Sequence, residues 1–374
     1  MKNALDKRLQ IGLADPLLNN SKTSSLSPQH ALLGTRTKRG DIDPNDVLQR
    51  AKSRIQCLKS ESPQPVPDLQ ALKKHFAEDC RLYYTLAAVS RRRALIEESR
   101  LALLELLFPF RTALERSILA SLPWVGDQSQ LWKSAVSKSF FGVSSKQGVS
   151  IRFGLSSCVP SEHCAGRCYG HDGRDRELHM IFRSVLSQFV GMEFEDGDEP
   201  KRMKILQSLS DAIDHGIASA RKDASVSLKE RNFHRSPRIR FSHIGEMAHT
   251  PTFTNAIAAE IRRRAPDVVP VIYTRHQRAV ELDTNLFIVN FTIEGERDKR
   301  LKYAPSLSRL VSSSWDGRLT SIAEVNFLEH HVEKSATASG KGKLCPVTVD
   351  HSLMPSCDSA KCDLCFTKLT MKVD

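Results

Sequence analysis

Cysteine placement limits this chain more than any other feature. Of its nine cysteines, seven stand in two short windows. Cys158, Cys164 and Cys168 read C-x5-C-x3-C, and Cys345, Cys357, Cys362 and Cys365 read C-x11-C-x4-C-x2-C. An odd total, in a chain whose first residues lack the apolar core of a signal peptide, argues against a disulfide framework and for a cytoplasmic protein. Cys57 and Cys80 stand alone in helical segments, where a tolerated thiol is the ordinary explanation. The grouped thiols point instead to metal, because soft sulfur ligands favour zinc or iron–sulfur centres. Three thiolates just after a strand suit a four-iron cluster with one iron left open for an exchangeable ligand. Zinc needs a fourth ligand, which His171 or His163 can supply, so both metals stay open at the first group. Four cysteines make a closed set. The second group therefore reads as a structural zinc or an auxiliary cluster that fastens a C-terminal tail.

The rest of the composition is that of a globular protein, 40% hydrophobic and 26% charged over 374 residues. A length of that order predicts two or three units at roughly 150 residues each. The greasiest stretch, residues 101–110, is broken by Glu105 and Pro109, which is too short for a membrane span. Lys plus Arg is 55 against 43 Asp plus Glu, a net charge of +12. Such an excess favours polyanionic partners, nucleic acid first. Aromatic residues are only 6%, which offers little for base stacking along a single strand. There is no P-loop, dinucleotide glycine fingerprint, nucleophile elbow or H-E-x-x-H motif.

Residues 1–40 carry no sustained apolar period and read as a disordered arm. Residues 41–140 read as a helical region. Asp43 and Pro44 open its first helix, a proline-rich linker covers 61–67, and apolar residues then recur at helical spacing to about 122, punctuated by Pro109 and Pro123. Residues 141–333 read as an α/β core. Strands are expected at 149–153, 238–243, 268–273, 286–293 and 322–328, with helices at 176–190, 200–222 and 252–264. That alternation predicts βαβ units and a mostly parallel sheet of about five strands. A complete eight-fold barrel does not fit; a partial or irregular (β/α) barrel does. Residues 334–374 read as a small cysteine-tied metal-binding appendage.

The order of these features carries a resemblance. A strand runs into Cys158-Val159-Pro160, then into Cys164-Ala165-Gly166-Arg167-Cys168-Tyr169. Arg238–Glu246 follows, then Val271-Ile272-Tyr273-Thr274-Arg275, and finally the terminal cysteines. Over about residues 145–370 this resembles the phage-associated family catalogued as gene product 88. The cysteine layout of that family looks like a divergent radical S-adenosylmethionine (SAM) protein. The triplet here is wider than the usual C-x3-C-x2-C, and Gly245-Glu246 stands where the family tends to have Gly-Asp. Gly245-Glu246 also looks like the end of the Gly-Gly-Glu motif that holds the methionine amino group of SAM.

The resemblance implies a four-iron cluster on Cys158, Cys164 and Cys168, with SAM on the fourth iron and radical chemistry supplied by the cofactor. It implies cofactor contacts at Tyr169, Gly245, Glu246, Tyr273 and Asn290, with His243, Arg275 and Glu294 as further strand-end polar residues. A reductant protein is an implied partner, and no membrane is. The competing reading is a non-enzymatic zinc protein that binds nucleic acid or a protein partner.

Overall fold

Proline and carboxylates set the start of the first helix. In the computed structural model, which describes residues 42–66, 68–92, 94–122, 130–144, 148–161, 164–165, 168–171, 173–231, 235–314, 321–323 and 325–328, helix α1 is Pro44–Ser60. Pro44 occupies its first position, Asp46 lies in its first turn and Lys59 in its last. All three match the asymmetry of the helix ends. Val47, Ala51, Ile55 and Leu58 form its buried stripe. Helix α2 (Leu69–His75) is capped by Asp68, whose carboxylate accepts from the backbone N–H of Gln70 and Ala71 at 2.8 Å each. Helices α3 (Ala77–Val89), α4 (Glu97–Ala120) and α5 (Gln130–Ala135) complete the N-terminal set.

Pro109 does not punctuate α4 as the sequence led us to expect; the helix runs through it. A proline inside a helix removes one hydrogen bond and costs about 3 kcal/mol. Burial on both sides of it offsets that cost, since Leu103, Leu107, Phe110, Leu114 and Ile118 are all almost fully enclosed. The Thr112 hydroxyl also donates to the Phe108 carbonyl at 2.9 Å, next to the interruption.

The sheet has seven strands: β1 (Phe141–Ser144), β2 (Gly148–Ile151), β3 (Arg238–Phe241), β4 (Val269–Thr274), β5 (Ile288–Ile293), β6 (Arg309–Ser314) and β7 (Val325–Leu328). They lie side by side in chain order. β1 and β2 form an antiparallel hairpin, and every pair from β2 to β7 is parallel. The expected mixed, mostly parallel α/β sheet is present, with two strands more than the sequence count. β1 is a four-residue hairpin arm, and β6 is half serine, so neither carries a strong apolar signal. The expected helix at 200–222 is two helices, α7 (Glu199–Ser208) and α8 (Ser210–Arg231), joined at Leu209. They follow α6 (Leu178–Glu195) in the long crossover from β2 to β3. Helix α9 (Pro251–Arg264) makes the next crossover, and short 3-10 turns serve β4 to β5 and β5 to β6.

Period-2 alternation sorts the strand residues onto two faces. Val149, Ile151, Phe153, Ile239, Phe241, Ile272, Val289, Phe291 and Ile293 join one apolar core with residues of α1, α3, α4, α6, α8 and α9. The alternate positions, including Ser150, Arg238, Arg240, Asn290 and Arg309, face the other way. The elements described all belong to one compact unit that begins at Pro44. Among the described residues, no helix is long and apolar enough to cross a membrane. The expected arm at 1–40 and the expected appendage at 334–374 lie outside the described residues.

Candidate functional site

Four parallel strands end at one edge, and the chain that leaves each of them enters the same cluster. Beyond β2, the backbone still pairs with the chain beyond β3. His243 N–H donates to the Ile151 carbonyl at 2.9 Å, and Phe153 N–H donates to the Ile244 carbonyl at 2.9 Å. Gly245 makes this approach possible. Its φ is +72°, and an added Cβ would stand 2.5 Å from the Phe153 carbonyl oxygen and 2.6 Å from that of Gly154. Ser242 also sits in the left-handed region, at φ 63°, and its hydroxyl accepts the Met247 N–H at 2.7 Å. The chain reversal after β3 is thus a strained turn that delivers Glu246 to the loop after β2.

Glu246 is held on three sides. Its backbone N–H donates to the Ser157 hydroxyl at 2.8 Å. Its carboxylate accepts the Thr274 hydroxyl at 2.7 Å and the Arg275 backbone N–H at 3.3 Å, at the last residue of β4 and the one after it. Burial pushes its acid constant above the ordinary carboxylate range, and the Thr274 hydrogen bond and the Arg275 charge pull it partly back. The Arg275 guanidinium donates to Glu294, at the end of β5, at 2.9 Å. The Ser161 hydroxyl donates to the same Glu294 oxygen, so the cysteine loop is tied to β5. Arg300 and Asp298 close the far side.

The three thiols lie inside this frame. Cys164 is pulled down to about 7, first by a hydrogen bond from the Cys168 thiol and then by the Arg275 charge, against a desolvation cost. Cys168 is pushed well above its usual range, as the donor in that pair and by burial. Burial also pushes Cys158 up, and the charges of Glu246 and Cys164 add to it. Each thiol therefore feels at least one of the others, and Arg275 is the cation that Cys158 and Cys164 share.

A second network grips the loop from the helical side. Arg111 and Glu115, one helical turn apart on α4, form an ion pair with 0% side-chain exposure at both ends. Glu115 accepts the Ser156 backbone N–H at 2.7 Å, and Arg111 donates to the Asp175 carbonyl at 3.0 Å. Ser156 also donates to Gln188 of α6 at 2.9 Å. The start and the end of the cysteine loop are thus pinned to one helix.

His171 is not a free ligand. Its Nε2 lies 3.1 Å from the Ala165 carbonyl, which can only accept, so that nitrogen carries the proton. Its Nδ1 then accepts the Tyr83 hydroxyl at 2.7 Å. Burial, helped by the Arg111 charge, lowers its acid constant to about 3, so the ring is neutral. Both nitrogens are engaged, one by the Ala165 carbonyl and the other by the Tyr83 hydroxyl. His163 lies outside the described residues.

The structure thus brings Cys158, Cys164, Cys168, Gly245, Glu246, Arg275 and Glu294 together. It places Tyr273 and Asn290 elsewhere, paired in register one step back along β4 and β5, with the Arg240 guanidinium 4.6 Å from the Tyr273 ring centre. His243 faces Asp175 at 3.5 Å instead of the thiols. The backbone of Tyr169 opens a 3-10 turn beside Cys168. Cys345, Cys357, Cys362 and Cys365 lie outside the described residues. Sequence reasoning missed Thr274, Ser161, Arg111 and Glu115. The last two had a legible signal, a charged i,i+4 pair inside an otherwise apolar helical run.

Among the described residues, no group of three or more His, Cys, Asp and Glu side chains is arranged to hold a single metal ion. A cluster makes a different demand, because each thiolate binds its own iron instead of converging on one ion. Three soft sulfur donors, with the neighbouring imidazole committed elsewhere, fit such a group. No protein-family model, curated protein or solved structure matches this chain.

Proposed function

We propose that the chain is an iron–sulfur enzyme of the radical-SAM-like kind, with its singly wound sheet acting as a partial (β/α) barrel. The observation that carries this reading is the meeting of three thiols with Glu246 and Arg275 at the carboxyl ends of β2 to β5. Parallel α/β sheets bind ligands at that edge, and sheets with strands in chain order present their functional loops there. When bound, a four-iron cluster with SAM supplies one-electron cleavage of a sulfonium.

The chain's own residues do the holding. Cys158, Cys164 and Cys168 are the iron ligands. The Glu246 carboxylate is the acceptor for the cofactor's ammonium group, and an arriving cation offsets the burial that now disfavours its charge. Arg275 stands beside it as a donor to a carboxylate and as the cation that favours thiolate over thiol. The Arg111–Glu115 pair keeps the loop in place and dry on the side away from solvent.

Protein purified without oxygen is expected to contain iron and acid-labile sulfide in matching amounts, with a broad absorption band of the order of 400 nm. Cys164→Ala is expected to lose the iron and sulfide of this site while unfolding as cooperatively as the parent. Glu246→Ala is expected to keep the cluster and to weaken SAM binding. Zinc without sulfide, in a colourless protein, would replace this reading with that of a zinc-stabilised binding protein.

A further inference from the structure

Two turns lead the chain away from the ends of β3 and β4, and they are fastened to each other. The first, a 3-10 turn at Met247–His249, follows Glu246 directly, and His249 N–H donates to the Glu246 carbonyl at 3.0 Å. The second is the 3-10 turn Gln277–Glu281, capped by the side chain of His276. From it, the Arg278 guanidinium donates to the His249 carbonyl at 2.9 Å, to Glu195 at the end of α6 at 2.8 Å and to Glu281 at 2.7 Å. The His249 and His276 rings meet edge to face, with centres 5.6 Å apart and planes at 89°. Glu246 thus stands at the head of one of two turns that share an arginine and a pair of imidazoles.

A chain of hydrogen bonds runs from the second turn to the Glu246 carboxylate. Arg278 N–H donates to His276 Nδ1 at 3.1 Å, and His276 N–H donates to the Thr274 hydroxyl oxygen at 3.0 Å. That hydroxyl in turn donates to Glu246. The cap demands a neutral ring, because Nδ1 must accept and the proton must stand on Nε2. A proton on Nδ1 would set two N–H donors against each other. His276 is only 4% exposed. Burial, with the charges of His249 and Arg278 behind it, pushes its acid constant down to about 4, and Glu281 opposes them. Burial and Arg278 lower the acid constant of His249 as well, against Glu195. Two further elements pack on these turns. The first turn of α9 carries no charge, and the turn Lys299–Tyr303 carries Lys299, Arg300 and Lys302.

We propose that the His249–His276 contact and the His276 cap form an acid-sensitive latch, which fixes the Glu246 carboxylate and so regulates the affinity of this edge for a cationic ligand group. With both rings neutral the latch is closed. Protonation of either ring sets a new cation beside Arg278 and the other ring. Protonation of His276 also removes the cap that holds its backbone against Thr274. The direction follows from linkage. An acid constant lowered from 6.5 to about 4 gives a contribution that is complete above 6.5 and is lost as pH falls towards 4. Glu246 cannot produce that trend, since its raised constant gives a contribution that is lost as pH rises. Naming the ligand group as the ammonium of SAM rests on the enzyme reading above; the latch does not.

The test is amide hydrogen exchange on the full chain from about pH 7.5 to about pH 5, with intrinsic exchange rates divided out. Protection of residues 246–250 and 274–281 is expected to fall by roughly tenfold or more over that range, ahead of the rest of the sheet. His276→Asn keeps a side-chain oxygen as the acceptor at the cap, and His249→Phe keeps a ring at the contact; neither new side chain titrates. The double variant is expected to hold its protection across the range. If it does not fold, His276→Asn alone decides, and it is expected to keep most of the protection. In cluster-loaded protein, the affinity for SAM is expected to fall with the protection in the parent and to fall less in the variant. Parent protection that holds down to about pH 5, or variants that lose it as the parent does, would overturn the latch. An opening latch with unchanged SAM affinity would overturn its regulatory role. An opening latch in a chain that takes up neither cluster nor SAM would remove the enzyme reading and leave the latch standing.

Discussion

Two charged networks hold the same cysteine loop, and they differ in kind. On the helical side, Arg111 and Glu115 are completely enclosed. On the strand side, Arg275 and Glu294 keep 13% and 18% side-chain exposure, and Arg275 shares its field with Cys158, Cys164 and Glu246. The first network is sealed, and it meets backbone groups of the loop at Ser156 and Asp175. The second is open at one side and contains groups whose charge states press on one another. A loop built for chemistry needs both, a fixed anchor and an adjustable electrostatic wall. The difference also divides the consequences of mutation, since a sealed pair that loses one partner leaves a charge stranded, whereas a wetter pair does not.

The largest effect is therefore expected at Glu115. Glu115→Ala strands the Arg111 charge and frees the Ser156 N–H, and the expected loss is about 3–5 kcal/mol in chemical denaturation. An effect under about 1 kcal/mol would break the distinction between the two networks. Next comes Gly245→Ala, whose new methyl group meets the backbone of residues 153 and 154 at a positive φ. Roughly 2–4 kcal/mol is expected from strain and collision together, with the thiol environment disturbed as well.

Tyr83→Phe removes the hydroxyl that His171 accepts, and about 1–2 kcal/mol is the expected cost at neutral pH. This pair also carries a pH signature. The folded His171 has its acid constant lowered from 6.5 to about 3, so its contribution is complete above 6.5 and is lost as pH falls through the window between those values. Burial is the main cause, so the acid-side slope of stability should persist in Tyr83→Phe. A slope that vanished with the hydroxyl would make the hydrogen bond the cause. The smallest effect is expected for Glu294→Gln, roughly 1 kcal/mol or less in the denaturation midpoint. Its informative readout is thiol reactivity, which should change at Cys164 because Arg275 loses its partner.

Much of the frame was legible before any coordinates. Strands at β2, β3, β4 and β5, and the helix at α9, announce themselves by apolar runs and caps. The meeting of the cysteine loop with Gly245-Glu246 follows once those strands are parallel neighbours. β6 was not legible, because three of its six residues are serine; its place in the sheet is set by pairing with β5 and β7. Pro109 misled for the opposite reason, since tertiary burial overrode a local rule. Tyr273 and Asn290 were assigned by analogy to strand-end positions. One residue of register moves a side chain to a different neighbourhood, and here this pair lies on the sheet face that also carries Arg240 and Arg309. The Arg111–Glu115 pair was visible as an i,i+4 pair, but the loop that it holds was hidden by distance, with Glu115 some forty residues from Ser156.

The register that joins Val149 to Ile239 has a consequence in time. Glu246 and Arg275 follow Cys164 in synthesis by roughly eighty residues or more, and a loop of that size must close before strand β3 can dock beside β2. On a ribosome adding about 5–20 residues each second, the three thiols emerge several seconds before their cation and their carboxylate exist. During that interval they are ordinary exposed cysteines, open to oxidation and to whichever soft metal is at hand. Helix α4, which supplies the sealed anchor, is already complete by then. The nascent chain can thus position the loop before it can tune it, and maturation of the site is paced by the arrival of β3 and β4.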